Sequence, residues 1–241
     1  FLDQGDLGRF LEALLDSAYR TEMAEALTRY QGADAVEEAA SRNLVATFQT
    51  LLSRSHGEFR ELVQIFLARW DLMAVKSLIR CRHHGVDGPV MGAALIPGPT
   101  LTPPLLAEFS QLDSMESLVA ALAGWNRSLC GSLRKALPAY HESGDLSALE
   151  EALDRAYFVD TVARLKSAED DDSRMLRSQL QSEIDRINLR TVFQHIDTKG
   201  ELGESLDSRF LSQGSLPKSL LRQMASSSDP AAAMAHLART R

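Results

Sequence analysis

Apolar residues recur at steps of three and four along most of this chain, and this spacing is the feature that most restricts its fold. The spacing places apolar side chains on one face of a helix. Leu and Ala dominate the composition, aromatic residues make up only 6%, and no segment shows the alternation typical of strands. The sequence therefore predicts an all-α protein. The apolar faces of the two longest predicted helices carry Leu62, Ile65, Phe66, Leu72, Val75 and Ile79 in the first, and Leu176, Leu180, Ile184, Ile187 and Thr191 in the second.

The two long helices indicate an internal repeat of about 115 residues. The Trp-Asp-Leu of residues 70–72 lies late in the first helix, and the Ile-Asn-Leu of residues 187–189 lies late in the second. Earlier in each copy, the Val-Glu-Glu-Ala of 36–39 matches the Leu-Glu-Glu-Ala of 149–152. We therefore expect two helical domains related by pseudo-symmetry, with Asp71 and Asn188 at equivalent positions.

A third copy begins near the end of the sequence. The segment 95–98 followed by Leu101 is echoed by 210–213 followed by Leu216. The predicted domains are repeat 1 at residues 1–92, repeat 2 at 93–206 and the start of a truncated repeat 3 at 207–241. A period this long describes repeated small domains, because solenoid repeats are usually 20–50 residues long.

Local signals predict several helix ends. Gly85 follows a run of cations and is expected to end the first long helix, and residues 86–102, rich in Gly and Pro, read as a loop. Asp113 and Glu116 have the spacing of a capping box, and Pro138 is expected to interrupt a helix. The acidic residues 169–172 predict another helix entry, as does Asp229 before a proline.

Composition excludes some classes of function. The net charge of −7 and the pI of about 5.4 argue against nucleic-acid binding, which needs clustered Lys and Arg. Two cysteines, Cys81 and Cys130, do not indicate a disulfide framework and fit a reducing compartment. No apolar run approaches the roughly 20 residues of a membrane-spanning helix.

Motifs that carry chemistry are absent from the sequence. It contains no dinucleotide or phosphate-binding glycine pattern, no H-E-x-x-H and no G-x-S-x-G. Cys81, His83 and His84 form the only dense group of metal-binding residue types, either a metal site or a solvated helix end, and they lack a second pair at zinc spacing. His141 and Glu142 lie in a predicted turn without a catalytic partner. The sequence predicts no catalytic, cofactor-binding or metal-binding residue, and it assigns no interface residues.

One helix face is partly basic. It would suit either docking of an acidic partner or simple solvation, and its cations are Arg69, Lys76, Arg80 and Arg82.

Five short motifs, in order, resemble one protein family. Residues 66–80 are similar to its helix R-x-D-L-x-N-[LIV]-x-x-[LI]-[LI]-R, and 183–192 are similar to a second copy, E-x-D-x-x-N-L-R-T. The segments 95–98 and 210–214 resemble its L-x-P-G-G-x-L connectors, and 154–158 match D-x-x-Y-F. The family that these motifs resemble is the C-type central-stalk component of the archaeal (A-type) and vacuolar-type (V-type) rotary ATPases, which carries the letter d in the vacuolar enzyme. The chain departs from the family pattern at two pairs of residues, Met73–Ala74 and Ser212–Gln213.

The resemblance implies a funnel- or socket-like protein of three similar helical domains in the central stalk of the enzyme. Family members lie on the cytoplasmic side, peripheral to the membrane through protein partners. They sit on the membrane proteolipid (c/K/L) ring and receive the central-shaft subunits. The implied role is that of a non-catalytic rotor component, without cofactors, that couples ATP hydrolysis or synthesis to ion transport. The alternative is a helical scaffold or interaction module unrelated to rotary ATPases.

Overall fold

The computed structural model describes residues 6–165, 170–198 and 206–238, and these residues form helices joined by turns, without a strand. The all-α prediction is therefore confirmed. The helices are α1 Leu7–Leu15, α2 Arg20–Ala26, α3 Gly32–Arg54, α4 Gly57–His83, α5 Gly88–Ala94, α6 Pro103–Ser110, α7 Met115–Trp125, α8 Arg127–Ser143, α9 Ser147–Leu165, α10 Asp171–Asp197, α11 Leu206–Arg209, α12 Lys218–Ala225 and α13 Pro230–Ala238. Nowhere in the described ranges is a helix both long and apolar enough to cross a bilayer.

The chain divides into two compact units, residues 1–118 and 119–241. These units are defined by contacts within the chain, and such contacts do not show where one repeat ends and the next begins. The partition into three repeats at 1–92, 93–206 and 207–241 therefore stays a prediction. Each of the two units has apolar clusters of its own.

The first unit has two small cores along α3. Near its start, Met23 and Ala26 of α2 pack against Ala35 and Ala39, with Leu14 of α1 closing the cluster. Short side chains dominate there, so the three helices approach closely. Further along, Phe48 and Leu52 pack against Leu67 of α4, and the rings of Phe48 and Trp70 lie 5.4 Å apart.

The second unit is built on α9, α10 and α12. Leu149, Leu153 and Leu165 of α9 are buried, and α8 packs along this helix. A second cluster joins Val192 of α10 to Phe210 and to α12. The long helix α10 therefore supports the segment that follows it, as α4 does in the first unit.

Three of the helix ends follow the predicted signals. Gly85 has a φ of +66° just after α4, a conformation that glycine adopts at little cost. Asp170 caps α10 by accepting from the N–H of Ser173, and Asp229 caps α13 by accepting from Ala232. Glu169 and the predicted end of α10 at 199–200 lie outside the described residues.

Three local predictions were wrong. The segment 86–102 contains α5, which starts at Gly88-Pro89 because Pro suits the first turn of a helix. The capping box of α7 is formed by Ser114 and Ser117, which exchange backbone-to-side-chain bonds, and not by Asp113 and Glu116. Helix α8 continues through Pro138 to Ser143, since its packing against α9 offsets the roughly 3 kcal/mol that an interior proline costs.

Candidate functional site

The first unit contains a buried carboxylate that holds a loop. Asp71, late in α4, is only 5% exposed. Its Oδ1 accepts from the N–H groups of Leu101 at 2.8 Å and Thr100 at 3.1 Å, and its Oδ2 accepts from the Thr100 hydroxyl at 2.7 Å. We call this arrangement the first anchor. It fixes the connector between α5 and α6 on α4.

A close approach of glycine makes the first anchor possible. Gly98 is buried, and a Cβ atom there would overlap Asp71 Oδ1 and lie 2.8 Å from the backbone nitrogen of Asp71. Any side chain would therefore separate the loop from the helix.

The second unit repeats this arrangement. Asp185 of α10 is 8% exposed. Its Oδ1 accepts from the N–H of Leu216 at 3.0 Å, and its Oδ2 accepts from both the N–H and the hydroxyl of Ser215. A Cβ atom at Gly214 would overlap Asp185 Oδ1. We call this arrangement the second anchor.

The two anchors do not follow the residue pairing that the sequence predicts. The sequence pattern pairs Asp71 with Asn188, whereas the hydrogen bonds make Asp185 the counterpart of Asp71. A signal for this pairing is present in the sequence. The loop that follows each long helix contains a glycine, Gly98 or Gly214, and Thr-Leu or Ser-Leu begins within two residues of it.

Asn188 has a different role, which we call the amide clamp. Its side chain is fully buried. Oδ1 accepts from the N–H of Leu211 at 2.8 Å, and Nδ2 donates to the carbonyl of the same residue at 3.0 Å. Ala74 lies three residues after Asp71, as Asn188 lies three residues after Asp185, and its side chain has no polar group. The loop of the second unit is therefore held by side-chain hydrogen bonds that the first unit cannot form at this position.

An arginine of α9 adds to the support of the second loop. Arg155 donates to the carbonyl of Ser208 at 2.6 Å and to that of Phe210 at 3.4 Å. Arg209 pairs with Glu151 at 3.0 Å. The segment 208–211 is thus tied to both α9 and α10.

Burial affects the acidity of the first anchor. It raises the pKa of Asp71 above the ordinary value, and the hydrogen bonds from Leu101 and Thr100 offset part of this rise because they favour the carboxylate. The folded protein therefore retains this proton to a higher pH than the unfolded chain does. The stability that this group contributes is complete below its unfolded pKa and decreases as pH rises through its folded pKa.

A test compares Asp71→Asn, which cannot ionise, with the unchanged protein. Between about pH 4 and 7, we expect the free energy of unfolding of the aspartate protein to fall relative to that of the variant as pH rises. Urea denaturation at several pH values measures it. Glu37→Gln on the exposed side of α3 is the control, and an equal pH response in both variants would contradict the assignment.

A groove of about 880 Å³ lies beside the second anchor. Leu189, Phe193, Leu216 and Leu237 provide its apolar lining. Three charged residues of α10, Arg186, Arg190 and Asp197, also line it and are exposed. The groove therefore combines an apolar floor with cations towards one end and an acid at the other.

The metal-binding candidates do not converge in the structure. The rings of His83 and His84 lie 4.9 Å apart, edge to face, and Cys81 is half-buried. Within 6–165, 170–198 and 206–238, no three His, Cys, Asp or Glu side chains form a group that could hold a metal ion. His141 lies against the ring of Tyr140, with centroids 5.4 Å apart.

One cation of the predicted basic face has a structural role. Arg82 donates to the carbonyl of Ser110 at 2.8 Å, which ties the end of α4 to the end of α6.

Comparison with known proteins gives consistent matches. The family model described as ATP synthase (C/AC39) subunit matches residues 1–241. The chain is 28% identical over 189 residues to the C subunit of an A-type ATP synthase of Methanococcoides burtonii, covering 78% of this chain and 50% of the relative. It is 30% identical over 189 residues to the C subunit of an A-type ATP synthase of Haloquadratum walsbyi, covering 78% and 53%. It is also 31% identical over 157 residues to the C subunit of a V-type ATP synthase of Deinococcus radiodurans, covering 65% and 45%. The chain spans about half the length of the curated relatives it matches.

Proposed function

Because the chain belongs to the ATP synthase (C/AC39) subunit family, we propose that it acts as a non-catalytic component of the central stalk in an A/V-type rotary ATPase. In this role it couples the soluble shaft to the membrane proteolipid ring during ion transport. The observation that carries the proposal is the family match over residues 1–241, together with relatives that are named as the C subunit of such enzymes.

The anchors support a mechanical role. In each unit, a long helix holds the following loop through a buried carboxylate with three donors. Hydrogen bonds to charged groups are stronger than neutral ones, at about 1.5–3 kcal/mol each. A subunit that transmits torque needs firm hydrogen bonds between its helices and loops, because loosely connected helices would deform instead of passing the rotation on.

The repeat is part of the proposal. We infer that residues 1–92 and 93–206 are two copies of one domain and that 207–241 begin a third. The matched anchors support this, because each copy then ends near a long helix whose aspartate binds the first loop of the next copy. The partners in the proposal are the central-shaft subunits and the proteolipid ring, on the cytoplasmic side of the membrane.

Affinity purification from native membranes tests this function. A tagged form of the complete natural protein is expected to recover the shaft subunits together with the proteolipid ring after mild detergent extraction. The control is the same tag on an unrelated helical protein of similar acidity. Recovery of a different soluble partner, without shaft or ring, would instead support a general helical scaffold.

A further inference from the structure

No further inference is drawn: the strongest candidate, the groove on α10 that Leu189, Phe193, Leu216 and Leu237 line beside the second anchor, carries none, because nothing in the structure shows what covers this apolar face.

Discussion

Substitution of Gly98 by alanine is expected to lower the free energy of unfolding by about 3 kcal/mol, at the upper end of the usual cost of overpacking. The new methyl group would overlap the Asp71 carboxylate and meet the backbone nitrogen of Asp71 at 2.8 Å. That nitrogen belongs to the 27-residue helix α4 and cannot move aside as the end of a side chain can. The loop must therefore shift, which weakens the bonds from Thr100 and Leu101. Urea denaturation followed by circular dichroism measures the change.

The second unit provides a graded comparison. At Gly214 the nearest atoms belong to the side chains of Asp185 and Ile184, so Gly214→Ala is expected to cost less, about 2 kcal/mol. The control is Gly131→Ala in α8, where a Cβ atom meets nothing within 4 Å. Because alanine is the better helix former, this change is expected to stabilise the protein by about 0.5–1 kcal/mol. A Gly98→Ala protein as stable as the Gly131→Ala protein would refute the close approach.

Replacing Asn188 by aspartate is expected to cost about 3–5 kcal/mol at neutral pH. The side chain keeps its size, but the donor to the Leu211 carbonyl becomes an oxygen, and a charge is buried at a position with 0% exposure. The cost should decrease in acid, because a protonated carboxyl group can donate to that carbonyl. Denaturation at about pH 7 and near pH 4 distinguishes this loss from a simple packing defect.

Asn126 supplies the matched control. Its side-chain oxygen caps α8 by accepting from the N–H groups of Ser128 and Leu129. Asn126→Asp keeps this acceptor and adds a negative charge at a helix N-terminus, so stability should change by no more than about 0.5 kcal/mol. If Asn188→Asp is equally mild, the amide clamp does not have the role assigned to it.

The sequence predicted the helical class and several helix ends because those depend on neighbouring residues. Apolar spacing marks α4 and α10, and Asp170 and Asp229 cap helices through donors three residues away. Helix α5 was missed because it is short and its Gly-Pro start resembles a loop. The capping box of α7 was assigned to the wrong pair, since Ser114 and Ser117 have the same spacing as Asp113 and Glu116.

The anchors were harder to predict because their partners are distant in the sequence. Trp-Asp-Leu and Ile-Asn-Leu have the same order of apolar and polar residues, so the sequence pattern pairs Asp71 with Asn188. Only the hydrogen bonds to Thr100 and Ser215 show that Asp185 is the equivalent residue. In the family motifs an aspartate lies three residues before the asparagine, and Asp71 and Asp185 both occupy the position of this aspartate. The groove depends on where Leu216 and Leu237 lie against α10, which no local pattern specifies.

The order of each anchor along the chain has a consequence during synthesis. The donors to Asp71 lie 29 and 30 residues after it, and those to Asp185 lie 30 and 31 residues after it. Translation adds about 5–20 residues per second, so each long helix emerges from the ribosome roughly 2–6 seconds before the backbone groups that complete its anchor. During that interval the aspartate must stay in water, since a buried carboxylate without donors is costly. The faces of α4 and α10 that carry these aspartates are therefore expected to remain open in the nascent chain and to close one after the other, from the N-terminal to the C-terminal unit.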